Sequence, residues 1–107
     1  MPTLSEYTNV YGTALRVLRE KGFQVWFDAD TNLYRAERDG WDFAGDSPTG
    51  LLGVIAIFEH RRPTAYEEYW WRKEEDAIDV RDLPKEPAPY QSVLATQRRR
   101  PKTPPRE

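Results

Sequence analysis

Between residues 5 and 21, apolar side chains recur every three or four positions: Tyr7, Tyr11, Ala14, Leu15 and Leu18, with Val10 and Val17 on the flank. That period is the mark of a helix with one apolar face. Thr8, Thr13, Arg16, Arg19 and Glu20 fall outside the stripe. Ser5 is the expected N-cap, and Arg19 and Lys21 suit the last turn. Gly22 supplies the left-handed residue that ends the helix.

The period then changes to two. Phe23, Val25 and Phe27 point one way, and Gln24 and Trp26 the other, which predicts a strand over 23–28. Asp28 to Asn32 is turn chemistry, and Leu33 to Arg38 reads as a second strand. Asp39-Gly40 is a two-residue hairpin signal, because glycine accepts the positive φ of that turn. Trp41 to Gly45 is the third strand. The short loop fixes a register: Arg38 faces Trp41, Glu37 faces Asp42, and Ala36 faces Phe43. Tyr34, Ala36, Trp41 and Phe43 then share the core face, with the stem of Arg38 at its edge. Leu33, Arg35, Glu37, Asp42 and Ala44 share the other. Glu37 opposite Asp42 is a like-charge pair, which Arg35 is placed to relieve diagonally.

Ser47-Pro48 opens a second helix, with Ser47 as cap and Pro48 at the first helical position. Leu51 to Phe58 is apolar nearly all round, which predicts a helix buried on several sides. Gly50 and Gly53 are expected to admit another backbone, and Pro63 ends the helix. Thr64-Ala65-Tyr66-Glu67 matches a capping box, so a third helix is expected to about Glu75. It would carry Tyr66, Tyr69, Trp70 and Lys73 on one side and Trp71 beside them. Ala77 to Arg81 alternates like a short edge strand. Pro84, Pro87 and Pro89 make an extended linker. Tyr90 to Gln97 offers a last short element.

The expected fold is therefore α+β: an N-terminal helix, a three-stranded antiparallel meander, a buried helix, an aromatic-rich helix, a short C-terminal element and a disordered tail. Residues 1–97 form one domain, with 84–97 loosely attached, and 98–107 are the basic tail. The first two helices cover the sheet face bearing Phe23, Val25, Phe27, Tyr34, Trp41 and Phe43.

Composition narrows this picture. At 107 residues the chain has room for one modest core. Its 13% aromatic content, with four Trp, is too rich for a disordered protein. With no Cys there are no disulfides, thiolate metal sites or Cys nucleophile. The longest apolar run, Leu51 to Phe58, is far short of the ~20 residues that span a bilayer. The first residues lack the basic-then-apolar order of a secretory signal, so a cytoplasmic location is expected. Charge is divided unevenly. Residues 1–97 hold 11 Lys and Arg against 17 Asp and Glu, a net of −6, while 98–107 carry a net of +4. An acidic body disfavours phosphate backbones as the main ligand.

Candidate chemistry is thin. His60 is the single histidine, and adjacent Glu59 on a helix points elsewhere, so it reads as a helix-end surface residue. Asp28-x-Asp30-x-Asn32 has the opening of a calcium loop, but Leu33 stands where glycine is needed and Asp39 where the closing Glu is needed. These residues read as turn formers. The glycines match no phosphate loop. No catalytic residue, metal site or cofactor is expected.

The aromatic and acidic residues are more informative. Tyr66, Tyr69, Trp70 and Trp71 are four aromatics in six residues, too many for one core-facing helix side. Trp26 lies opposite the apolar side of its strand. Aromatics in such positions serve as interface anchors. The leading expectation is a small, non-enzymatic, cytosolic protein-binding domain with a basic partner. An immunity or inhibitor protein occluding a basic site on a bacterial toxin fits that description. Its contact residues would be Trp26, Glu37, Asp42, Asp46, Tyr66, Tyr69, Trp70 and Trp71, and a homodimer could form through the aromatic helix. The alternative is a dimeric nucleic-acid-associated regulator that uses Arg98, Arg99, Arg100 and Lys102 in the tail. A small enzyme built on His60 ranks last.

Overall fold

The computed structural model describes residues 3–72 and 77–99. The chain divides into two compact units, Ser5–Asp76 and a second that takes in Ala77–Glu107 with Met1–Leu4. The first unit contains helix α1 (Tyr11–Glu20), strands β1 (Gln24–Asp28), β2 (Leu33–Arg38) and β3 (Trp41–Gly45), and helix α2 (Pro48–Arg61). The strands form one antiparallel sheet in the order β1-β2-β3. The mixed α+β architecture read from the sequence is the one observed.

α1 starts later than its apolar stripe suggests. Thr8–Val10 is a 3-10 turn, and no side chain caps it or the helix. Tyr7, Thr8, Asn9 and Val10 are weak helix formers. Ser5 is not the cap: its carbonyl accepts from the Tyr7 amide, and the neighbouring Glu6 carboxylate accepts from the hydroxyls of Ser47 and Thr49. The end of α1 follows expectation. Gly22 sits at φ 92°. The Phe23 amide donates to the Leu18 carbonyl at 3.1 Å and the Gly22 amide to that of Arg19 at 3.0 Å, the paired bonds of a Schellman cap. That cap puts Leu18 and Phe23 together in the core.

The hairpin register is as read from Asp39-Gly40: Arg38 opposite Trp41, Glu37 opposite Asp42, Ala36 opposite Phe43. Asp39 and Gly40 both take positive φ, 53° and 87°, as a two-residue turn of this hand requires. Arg38 closes the edge of the core by stacking 4.3 Å over the Phe23 ring while its Nη1 donates to the Lys21 carbonyl at 2.7 Å. The core itself is Leu18, Phe23, Ala36, Phe43, Leu51 and Ile55, with Val25, Tyr34, Trp41, Leu52, Phe58 and Trp70 packed against it. Phe27 lies at the far end of β1 and is exposed, resting edge-on against Tyr34 at 5.1 Å, so the helices cover less of this face than its pattern predicts.

α2 begins as expected. Ser47 Oγ accepts from the Gly50 amide at 2.9 Å, and Pro48 occupies the first turn. Two expectations about this helix need correction. It is buried on one side only: Pro48, Leu51 and Ile55 are buried, whereas Val54, Ala56 and Ile57 are exposed. A single three-stranded sheet and one short helix do not supply enough surface to enclose it. Nor do Gly50 and Gly53 admit a backbone, since a side chain at Gly53 would meet nothing. The close approach is at Gly45, where a Cβ would lie 2.6 Å from the Leu51 amide nitrogen.

The expected third helix is absent over residues 64–72, and its continuation to Glu75 lies outside the described residues. α2 ends with Arg62 in the left-handed region (φ 51°, ψ 55°), and Pro63 follows. The chain then reverses through tight turns: the Trp70 amide donates to Glu67 and the Arg72 amide to Tyr69, each three residues back. Tyr69 itself is left-handed at φ 57°, which no helix tolerates. Threonine and aromatic residues give the helix little intrinsic support. Seating Trp70 against Trp41 and Phe58, at ring distances of 5.7 and 5.9 Å, decides the path instead.

In the second unit Val80–Asp82 is a 3-10 turn capped by Asp79, so the edge strand expected over Ala77 to Arg81 does not form. The Arg81 amide and its guanidinium both donate to the Asp79 carboxylate, the guanidinium as an ion pair at 2.7 Å, and hold the chain in that local loop. A short helix, α3 (Val93–Arg99), provides the expected C-terminal element. It runs through Arg98 and Arg99, so those two residues are helical rather than part of a disordered tail, and 100–107 lie outside the described residues.

Candidate interaction surface

The first unit has a sheet face on which no residue is buried. It carries Gln24, Trp26 and Asp28 from β1, Leu33, Arg35 and Glu37 from β2, and Asp42 and Ala44 from β3. Trp26 is 42% exposed, directly across from Arg35. Arg35 is the one cationic side chain on this face, and Asp28 holds it in an ion pair at 2.9 Å. Arg35 therefore does not relieve the Glu37–Asp42 pair. Glu37 is served locally, accepting from the Gly40 amide at 2.9 Å and from Gln24 Nε2 at 2.8 Å. Those two bonds, the Gly40 amide first, draw its pKa below the ordinary carboxylate value. Asp42 is exposed, and among the described residues nothing pairs with it. Asp46 is exposed at the corner between β3 and α2.

The turn residues behave as turn formers. Asp28 Oδ1 accepts from the amides of Asp30 and Thr31, and Asn32 closes the turn at φ 61°. The Thr31 side chain first, then Arg35, lowers the Asp28 pKa, with burial opposing them in part. Among the described residues no cluster of His, Asp and Glu is placed to hold a metal ion. His60 is exposed at the end of α2, while its neighbour Glu59 is taken up by Lys21 at 3.0 Å.

The four aromatics after Pro63 separate. Trp70 is half-buried in the ring cluster of Trp41, Phe43 and Phe58, so it anchors the fold. Trp71 is 44% exposed and packs edge-on to Trp70 and Tyr69 at 5.8 and 5.6 Å. Its carbonyl accepts from Arg61 Nε at 3.2 Å, which ties the segment back to α2. Tyr66 and Tyr69 are exposed, and Arg72 stacks on Tyr69. Among the described residues the helical stripe expected to support a homodimer does not form.

One concavity links the two groups of expected contact residues. Asp42, Phe43 and Ala44 of β3 form one side, Val54 and Ile57 of α2 the other, and Trp70 and Trp71 close the end; its volume is about 350 Å³. A second shallow hollow of about 350 Å³ continues along α2 from Ile57 and Trp71 to Ala56, His60 and Arg61. Together they make an apolar strip bordered by Asp42. Sequence reasoning found Asp42, Trp70 and Trp71 but missed Val54 and Ile57. Their surplus was visible only as a helix too apolar for one core-facing side.

The alternative nucleic-acid residues are not brought together in any described geometry. Arg98 and Arg99 lie in α3, while Arg100 and Lys102 fall outside the described residues. Among the described residues no helix is long and apolar enough to cross a membrane. The sequence matches no protein-family model, and comparison with curated proteins and with solved structures likewise returns no match.

Proposed function

We propose that this chain is a non-enzymatic, cytoplasmic protein-binding domain that covers a basic surface on a partner, as an immunity or inhibitor protein covers a toxin's site. One observation carries the reading. Trp26 is exposed on the sheet face turned away from the helices and Trp71 in the groove beside β3, and the one cation of that face, Arg35, is already spent on Asp28, leaving Glu37 and Asp42 in surplus. Exposed aromatics supply contact area at low entropic cost, and like-signed carboxylates steer an oppositely charged partner. Removal of Arg98 to Glu107 is expected to leave this binding intact, because the residues that carry it belong to the first unit.

The test uses the full-length chain. A partner is captured from cells of the source organism and purified, and its affinity is titrated against the wild type and a Glu37→Lys/Asp42→Lys double variant. The expected result is a loss of roughly tenfold or more in affinity, concentrated in the association rate and fading at high salt. Unchanged affinity for a basic partner overturns the reading.

A further inference from the structure

The hairpin that fixes the sheet register also fixes which main-chain groups β3 turns away from β2. In a two-residue hairpin the flanking residues, Arg38 and Trp41, form a hydrogen-bonded pair. Pairs alternate along an antiparallel ladder, so Ala36–Phe43 and Tyr34–Gly45 are also hydrogen-bonded, and Glu37–Asp42 and Arg35–Ala44 are not. The N–H and C=O groups of Asp42 and Ala44 therefore point away from β2. β3 is the last strand of the sheet, so they point to its outer edge. Among the described residues nothing hydrogen-bonds to them.

Each side of that edge has a distinct chemistry. On the helix side lies the apolar groove, floored by Phe43 and walled by Val54, Ile57 and Trp71. On the solvent side stands the Asp42 carboxylate, opposite Glu37 and one residue pair from Arg35, whose charge Asp28 neutralises. Asp46 is exposed where the strand ends. The other sheet edge, β1, offers no such charge, since its acid, Asp28, is ion-paired and its Gln24 is bonded to Glu37. β3 also lacks the lysines and prolines that usually blunt an edge strand.

The geometry points to strand addition at β3: the edge receives an extended segment of a partner protein in which basic residues alternate with apolar ones. Successive side chains of a strand face opposite ways. The apolar residues of the segment then fill the groove against Val54, Ile57 and Trp71. The lysines or arginines meet Asp42 and the carboxylate surplus. Main-chain bonds to Asp42 and Ala44 supply the register, as in other β-augmentation sites. Arg61 stands beyond Trp71 on the apolar side, and places a positive limit at that end of the groove. This inference rests on the protein-binding reading and gives it a docking mode.

The test is amide hydrogen exchange on the full-length, isotope-labelled chain, with and without an acetylated and amidated peptide of about seven residues alternating lysine and valine. At saturation the Asp42 and Ala44 amides should slow roughly tenfold or more, as expected for new main-chain bonds, while Trp41, Phe43 and Gly45 are unchanged. The matching glutamate–valine peptide should bind roughly tenfold more weakly or less still. Ala44→Pro removes one outward N–H at a position that does not bond to β2, so it should weaken the lysine peptide about tenfold. Exchange on the wild type stands independently if that variant folds poorly. No binding at millimolar peptide, binding without slowing at Asp42 and Ala44, or equal binding of the glutamate peptide overturns the proposal. So does slowing that grows with protein concentration alone, which would make the occupant a second copy. If charge reversal abolishes partner binding while these two amides still exchange freely in the complex, strand addition fails and the protein-binding reading stands. If the edge is protected by the peptide but charge reversal leaves partner affinity unchanged, the broader reading fails instead.

Discussion

The two sides of α2 are almost equally apolar in sequence and opposite in fate. Leu51 and Ile55 are 0% exposed, whereas Val54 and Ile57 are 38% and 45% exposed. Each pair lies within one turn of the other. The inner pair faces Leu18, Phe23 and Phe43; the outer pair lines a groove beside β3. Fully burying such a side chain stabilises by roughly 1.5–3 kcal/mol, and the outer pair forgoes much of that. A helix gains nothing in solubility from Val and Ile at solvent-facing positions. The difference teaches that hydrophobicity alone does not say which side of a helix the core takes.

The most direct way to break this comparison is to truncate both sides. Leu51→Ala or Ile55→Ala should cost about 2–5 kcal/mol, because each leaves a cavity in a small, closely packed core. Val54→Ala and Ile57→Ala should each cost under about 1 kcal/mol, since both sites are already open to water and alanine favours the helix. Urea unfolding monitored by Trp fluorescence reads both. A loss for Ile57→Ala as large as for Ile55→Ala would show that the outer side is core after all.

Two glycines repeat the contrast at smaller scale. Gly45 lies where β3 meets the start of α2, and an added Cβ would sit 2.6 Å from the Leu51 amide nitrogen. Gly45→Ala forces strand and helix apart and should cost about 1–3 kcal/mol. Gly53 is on the outer side with nothing within 4 Å. Gly53→Ala should stabilise by up to about 1 kcal/mol, because glycine is the poorer helix former. The same urea midpoints measure both, and a change of equal sign for the two would collapse the distinction.

Which of these features can be read in the sequence depends on whether the determining interaction is local. The turn at Asp39-Gly40 carries its own conformational demand, so it yields the register, the two sheet faces and the outward direction of Asp42. Gly22 and Ser47 are equally local, each fixing one helix end through bonds within five residues. α2 carries no such information, since an apolar pattern without a period does not say which side meets the sheet. The capping box at Thr64 gave a local signal that tertiary contacts overrode, because Trp70 gains more against Trp41 and Phe58 than a short helix gains from its cap. The groove was illegible for a related reason. Asp42 and Trp71 are individually visible as exposed candidates, but their meeting with Val54 and Ile57 requires the chain to reverse after Arg62.

Ser47→Ala should cost about 1 kcal/mol by removing the acceptor for the Gly50 amide. It also removes one of the two hydroxyls on the Glu6 carboxylate. Thr49 first, then Ser47, lowers the Glu6 pKa, so the variant should also lose part of its sensitivity to acid. Urea midpoints of variant and wild type should therefore converge partly as pH falls below about 4. Parallel curves would mean that the hydroxyl serves the helix end alone.

The smallest effect separates two carboxylates that face one another on the uncovered side of the sheet. Glu37 is bonded to the Gly40 amide and to Gln24, and its pKa is lowered from an ordinary 4.5. A lowered folded pKa means that the charged form favours the native state. That contribution is fully present above the unfolded value and is lost as pH falls through the folded one. Glu37→Gln should therefore lower the urea midpoint slightly at pH 7 and leave a shallower decline between about pH 5 and pH 3. Asp42 makes no such bonds among the described residues, and sits in like-charge opposition to Glu37. Asp42→Asn should leave stability at pH 7 unchanged or slightly raised, within about 0.5 kcal/mol. A stability loss on Asp42→Asn as large as on Glu37→Gln would mean that Asp42 supports the fold. If it does not, and only binding suffers, Glu37 belongs to the hairpin and Asp42 to the partner.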